Sequence, residues 1–507
     1  MKKIFKDKIT LIHIIIIILG VIFISLSAFH SNLWYDESYS VAISNRSFGD
    51  IWKIGGHDVH PVLYYWILHI IRMIFGNQIM VYRLFSVLML AILGILGFTH
   101  IRKDFGKKVG LLFSFFVYFL PVTVAYAGEI RMYGLAMLLV TLMAIYAYRI
   151  YKNSEEKNVK NWILFGIFSL ASAYTHYYAL AAAGIINVAL FIYLIRKSVK
   201  EKKFNFNLKI FIGVAIIQII AYIPWLVYLL LQISQVSAGF WIEITFPGTL
   251  IEMFNFQFCG NLKDSMYVSP WIAGVFGLII CGYVIYLYVR NRKNKEENRP
   301  AKYAIIIYAL TLVGVCIMSL IMQSEILYAR YMLCITGLFI FFISFFLGNY
   351  GNKTMTIVIC ILSVVIATYV NVELINKNYD ESNTKPITYL QENIQEGDIL
   401  LYGNEGSAFV VSANFPETKQ YFWDGAYWNI DEAISAYGPN MTIIHSLAEI
   451  TDKDVRVWVI NASNYAIADS LEQELGANLI SKAAFRTKYK DYEYTISLLV
   501  LDVENKK

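Results

Sequence analysis

The chain has 507 residues, 58% of them hydrophobic and only 16% charged, and a mean hydropathy of +0.53. That balance excludes an ordinary soluble protein and indicates a polytopic membrane protein. The net charge of +6 does not point to nucleic acid, because the basic residues lie in short clusters between apolar runs and form no continuous patch.

In chain order, a basic start at Met1 to Lys8 leads into an apolar stretch, Ile9 to Ala28. This stretch is long enough to span a bilayer and lacks a small-residue cleavage site, so it reads as a retained anchor. Spanning-length apolar segments lie near 8–30, 79–100, 108–127, 132–149, 161–176, 177–195, 208–231, 269–289, 302–323, 326–347 and 354–374, which predicts about eleven transmembrane helices. Directly after the first comes Trp34-Tyr35-Asp36-Glu37-Ser38-Tyr39. Two adjacent carboxylates at a membrane surface are candidates for chemistry; the plainer reading is a solvated loop. Residues Pro61 to Phe75, apolar, aromatic and followed by Gly76-Asn77, predict a helix opened by proline and lying in the membrane interface, with a re-entrant or spanning helix as the alternatives; a spanning one would turn the later basic clusters outward.

Lysine and arginine predict the orientation. With residues 1–8 cytoplasmic, the alternate loops carry Arg102, Lys103, Lys107 and Lys108, then Arg149 to Lys160, Arg196 to Lys203, and Arg290 to Arg299, whereas the opposite loops are nearly bare of such charge. An N-terminus in the cytoplasm and an odd number of spans put Asp36-Glu37 and everything after residue 375 outside. From about Asn376 the composition changes. Strand-like runs at Asp398 to Tyr402 and Arg456 to Ile460, with helix-like stretches at Asp431 to Tyr437 and Tyr465 to Leu475, predict a small extracytoplasmic α/β domain of about 130 residues with an accessory role. The expected division is 1–374 for the transmembrane catalytic domain and 375–507 for the C-terminal domain. Cys259 is expected in a loop and the other four cysteines inside apolar runs, without the spacing of a zinc site or disulfide framework.

Ionisable groups at membrane depth are costly and mark function when they recur on one side. Here they recur on the outer side: Asp36, Glu37, His57, Asp58 and His60, then Arg83, Glu129, Arg131, His176, Glu325 and Arg330. Each has a duller explanation. Glu129 and Arg131 could pair with each other, Arg83 and Arg330 could snorkel to headgroups, and His176 could be an interfacial histidine. Glu37, His57 and Asp58 could supply ligands for a divalent metal ion, although the His57-x-x-His60 spacing is short and common.

Several blocks in order carry a resemblance: Trp34-Tyr35-Asp36-Glu37, His60-Pro61-Val62-Leu63-Tyr64-Tyr65, Tyr82-Arg83-Leu84, Glu129-Ile130-Arg131-Met132-Tyr133, Thr175-His176-Tyr177-Tyr178 and Arg330-Tyr331-Met332-Leu333. Over roughly residues 1–350 the chain resembles the polyprenyl-phosphate-dependent glycosyltransferases of the GT-C fold, particularly bacterial relatives of dolichyl-phosphate-mannose protein mannosyltransferases and aminoarabinose transferases. It departs at Val62, where the family's block has a second proline, and near Cys334. The resemblance implies an inverting transfer of a sugar from a polyprenyl-phosphate donor to an extracytoplasmic acceptor, a protein, a glycolipid or a cell-wall polymer, at the plasma membrane. It implies Asp36 as base, and Glu37 as alternative base or organiser of metal and substrate. His60, Arg131 and Arg330 would hold the donor phosphate, Glu129 would orient Arg131 or bind acceptor or metal, and Tyr64, Tyr133, His176 and Tyr331 would shape the substrate pocket. A transporter or lipid flippase is the rival class; inverted repeats and broken midplane helices are its expected signs, and neither is evident.

Overall fold

A computed structural model describes residues 7–153, 158–238, 248–259, 268–324, 326–403, 406–423, 434–437, 440–450, 455–461 and 467–501. Two compact units emerge, and neither is continuous in sequence. The first comprises Met1–Phe29 and Arg83–Glu373, the second His30–Tyr82 and Leu374–Lys507.

The first unit is a helical membrane bundle. Nine helices among the described residues of the chain are long and apolar enough to cross a bilayer: Lys8–Ser25, Ile79–Phe105, Tyr133–Lys152, Tyr177–Lys200, Phe206–Ser237, Pro270–Arg290, Lys295–Met322, Ala329–Tyr350 and Lys353–Asn378. The two remaining expected segments are also helical but shorter. The run expected at 108–127 divides into Lys107–Phe119 and Pro121–Ala125 around an extended Leu120, because the residue before a proline is driven out of the helical region. The run expected at 161–176 forms Val159–Ala173, 15 residues or about 22 Å at 1.5 Å per residue.

Helix Leu333–Tyr350 lies at the centre of this bundle, with apolar residues on every side and nearly all of them buried, as a helix without a polar face requires. It packs against Lys107–Phe119 and Tyr133–Lys152. Helix Phe206–Ser237 instead exposes Ile216, Ile217, Ile219 and Ile220, a surface that only lipid satisfies. Tyr118 knits three helices: its ring fills the space beside Gly20 and Gly94, where a Cβ at either position would overlap it, and its hydroxyl donates to the Ala91 carbonyl at 2.9 Å. Cys259, expected in a loop, is the buried last residue of helix Gly248–Cys259, where Phe256 and Phe258 beside it are also buried.

In the second unit, the stretch after the first span is largely helical: Tyr35–Ile43, Phe48–Gly56 and Leu63–Phe75. Ser47 caps the middle helix by accepting from the Asp50 amide. The last begins two residues after Pro61 and ends at Gly76, whose φ of +74° is glycine's territory. The Asp36-Glu37 pair therefore stands in the first turn of a helix, where the N-terminal amides favour carboxylates; it is not a solvated loop.

The same unit contains a six-stranded mixed sheet in the order β3-β2-β1-β4-β6-β5, with β1 Ile399–Tyr402, β2 Lys419–Trp423, β3 Met441–Ile444, β4 Val455–Asn461, β5 Asn478–Arg486 and β6 Glu493–Leu501. β1 pairs in parallel with β2 and β4, while β6 runs antiparallel between β4 and β5. The two expected strands are β1 and β4, buried almost throughout, as central parallel strands read. The expected helix near 465–475 is Ile467–Leu475, its first two positions lying outside the described residues. Of 431–437, residues 431–433 lie outside them as well, and 435–437 form a turn. Helix Gly406–Asn414 packs against Tyr35–Ile43, and a Cβ added at Gly406 would meet the Tyr35 side chain at ordinary van der Waals distance.

Candidate functional site

In the second unit the acidic pair is built into tertiary structure. Glu37 is fully buried, and its Oε2 accepts a hydrogen bond from the Tyr489 hydroxyl at 3.0 Å. An ionised carboxylate in such a place needs donors to offset its lost hydration. The Tyr35 backbone amide, one of the orphan donors of the helix's first turn, donates to the Tyr492 hydroxyl at 3.0 Å. Both tyrosines sit on the β5–β6 turn, where Lys490 and Asp491 adopt positive φ and Lys490 lies 4.3 Å over the Trp34 ring. Burial pushes the Tyr492 hydroxyl well above its ordinary range, and the nearby Asp36 and Glu37 add to that.

Asp36 is half-buried. The Tyr437 hydroxyl is likewise raised, first by burial and then by Tyr35, Asp36 and Asp58, so one buried phenol senses both aspartates. Tyr39 links the rings of Tyr65, at 5.8 Å, and Tyr437, at 6.1 Å, and Tyr64 and Tyr65 are wholly buried beside each other. His60 faces Asp58 with Nδ1 to Oδ2 at 3.4 Å. His57 turns its Nδ1 to the Lys53 carbonyl at 2.9 Å. Asp36, Glu37, Asp58, His60 and Tyr64 are thus assembled in this unit. Among the described residues no three His, Cys, Asp or Glu side chains gather into a group able to hold a metal ion.

The first unit assembles the other candidates. Tyr133, His176 and Tyr331 form a ring cluster with centroids 5.0 to 6.3 Å apart, and all three side chains are buried. His176 caps helix Tyr177–Lys200, its Nδ1 accepting from the Tyr178 amide at 3.1 Å. That bond fixes the neutral imidazole with its proton on Nε2. Arg330 stands in a 3-10 turn, Ala329–Met332, just before the central helix, with its guanidinium carbon 4.8 Å over the Tyr328 ring and 5.9 Å over that of Tyr331.

Arg131 is buried in the turn that opens helix Tyr133–Lys152, its amide donating to the Glu129 carbonyl at 2.8 Å. Arg83, almost wholly buried, ties that turn down by donating from Nη1 to the Gly128 carbonyl at 2.9 Å. It is engaged with backbone here and does not snorkel outward through that nitrogen. The Tyr126 ring lies beside the same turn, its centroid 6.0 Å from that of Tyr133 and 5.5 Å from that of Phe256. Glu325 lies outside the described residues. Sequence reading missed Tyr437, Tyr489 and Tyr492, since nothing in their local sequence distinguishes them from the other tyrosines of the C-terminal region.

A helical membrane bundle, a long helical stretch after the first span and a C-terminal mixed α/β sheet together define a polytopic membrane protein of the GT-C fold. The chain matches ArnT from Cupriavidus metallidurans bound to undecaprenyl phosphate with a TM-score of 0.62 at 10% identity, over 97% of this chain and 98% of that one. It matches the apo state of the same protein with a TM-score of 0.60, again at 10% identity, over 96% and 97% of the two chains. At that identity the likeness establishes the fold. Residues 59–228, the segment that carries His60, Tyr64, Glu129, Arg131, Tyr133 and His176, match the family described as dolichyl-phosphate-mannose-protein mannosyltransferase. No curated protein matches the chain.

Proposed function

We propose that the protein is an inverting glycosyltransferase of the plasma membrane that moves a sugar from a polyprenyl-phosphate donor to an extracytoplasmic acceptor. The observation that carries this reading is the mannosyltransferase-family match over residues 59–228, joined to the ArnT-like fold over nearly the whole chain. The relative's bound undecaprenyl phosphate supports a lipid-linked donor. The lysine and arginine bias of alternate loops supports a cytoplasmic N-terminus, with Asp36 and the C-terminal domain on the opposite side.

In this reading Asp36 accepts the proton of the acceptor hydroxyl or amine as that group attacks the anomeric carbon. The bond from that carbon to the phosphate oxygen breaks, and the lipid phosphate leaves with the electron pair. Arg131 and Arg330 stabilise the charge that develops on the phosphate, since a guanidinium binds two of its oxygens at once, and His60 adds a third donor. Glu37 orients the acidic turn or substitutes as base, Glu129 orients Arg131, and Tyr64, Tyr133, His176 and Tyr331 shape the substrate pocket.

The test is transfer by the purified protein from a polyprenyl-phosphate sugar, comparing wild type with Asp36→Asn. The variant should lose transfer while remaining folded; full activity would remove Asp36 as base, because an amide cannot take that proton.

A further inference from the structure

The second unit contains an open cavity of about 160 Å³ lined by the Ser31–Leu33 stretch, helix Lys385–Asn393, one face of helix Gly406–Asn414 and the β5–β6 turn. We propose that it binds one neutral sugar residue of the acceptor, which makes the acceptor a glycan. This deepens the transferase reading and rests on it.

The chemistry of the wall selects the ligand. None of the lining residues is charged, so a phosphate or carboxylate would find no cation and an ammonium no carboxylate. The wall is not apolar either. Thr388 and Gln391, three apart on helix Lys385–Asn393, share a face and line the cavity, and among the described residues neither side chain is engaged in a hydrogen bond. A hydrocarbon chain would leave this hydroxyl and amide unpaired, whereas sugar hydroxyls, being both donor and acceptor, satisfy an amide and a hydroxyl together.

Asn383 is fixed in advance, donating from Nδ2 to the Lys377 carbonyl at 2.6 Å and accepting from the Tyr489 amide at 2.8 Å. Tyr489, Tyr492 and Tyr494 add ring surface with polar tips. An apolar cavity of about 150 Å³ takes one benzene molecule, so a space of this size suits one pyranose ring better than several peptide residues.

Position supplies the link to chemistry. Two lining residues are those that bond the acidic helix: Tyr489 donates to Glu37, and Tyr492 receives the Tyr35 amide. A sugar seated against these rings is held one side chain away from the Asp36-Glu37 turn.

The experiment is saturation-transfer NMR on the full-length protein in nanodiscs, with methyl glycosides of glucose, mannose and N-acetylglucosamine as probes. Glucuronic acid and a blocked Ala-Ser-Ala peptide serve as contrasts. At least one glycoside should bind, and Thr388→Val combined with Gln391→Leu should weaken it about tenfold or more, as loss of two hydrogen bonds to a sugar predicts. Both positions are exposed, and an unchanged melting temperature would show that the variant folds. Three outcomes overturn the proposal: none of the glycosides binds wild type, the variant binds as tightly, or glucuronic acid or the peptide binds better than every glycoside. Asp36→Asn separates this proposal from the transferase reading. It should keep glycoside binding while losing transfer; retained transfer would sink the base assignment alone, and absent binding to an active wild type would sink the cavity alone.

Discussion

Tyr489→Phe removes one oxygen and nothing else, from a residue lying 452 positions along the chain from the carboxylate it serves. In the native protein that hydroxyl donates to Glu37 Oε2 at 3.0 Å, with both side chains buried. A hydrogen bond to a charged group contributes about 1.5–3 kcal/mol, and a buried acceptor that loses its donor is left with its desolvation cost uncompensated. If the bond holds the acidic turn in its working geometry, the variant should lose roughly ten- to a hundredfold in kcat, at about 1.4 kcal/mol per factor of ten. KM for the lipid donor should change little.

The assay is a double-mutant cycle of Tyr489→Phe and Glu37→Gln, read as kcat at saturating donor. Coupled residues are non-additive, so Tyr489→Phe should cost little once Glu37 is already Gln. A kcat within twofold of wild type for Tyr489→Phe, or full additivity of the two changes, would refute the coupling.

Arg131→Ala should weaken donor use by at least about tenfold, since losing one partner of a buried charge contact costs ~2–5 kcal/mol; kinetics with a polyprenyl-phosphate sugar, set against protein abundance, check this. Equal loss of activity and abundance would instead mark a structural pair with Glu129. Gly94→Ala should destabilise the protein by about 1–3 kcal/mol, because its methyl would overlap the Tyr118 ring and a packed interior does not absorb it. Gly184→Ala, with open space around it, should be neutral or slightly stabilising in the same melting experiment.

The Lys107 ammonium, joined by the Thr10 hydroxyl, holds the Asp7 carboxyl at about 2, below its ordinary 3.8. The depressed value means that ionised Asp7 stabilises the fold fully above about pH 4, and that this contribution disappears as pH falls through about 2. Acid titrations of wild type and Asp7→Asn should therefore diverge at neutral pH and converge below that window; curves separated equally at all pH values would exclude the effect.

Sequence by itself determined the membrane class, the position of the apolar helices and the blocks that carry the family resemblance. A bilayer forces every spanning segment to satisfy its own backbone, so hydropathy and length are enough to read it, and charges cluster where apolar runs end. The same logic read β1 and β4, whose continuous burial makes them continuous apolar runs. It did not read the helix at Tyr35–Ile43: its alternating serines are weak helix formers, and the segment is stabilised by packing against Gly406–Asn414. Nor could it read the break at Leu120 as a shortened span, although Pro121 was its visible cause.

Tertiary structure alone decided what surrounds the Asp36-Glu37 pair. The hydroxyl donor to Glu37, the phenol that caps its helix and most of the wall of the uncharged cavity beside them come from chain segments hundreds of residues away. Contacts at that separation depend on how the β5–β6 turn folds back, which leaves no local periodicity or spacing for a sequence to display.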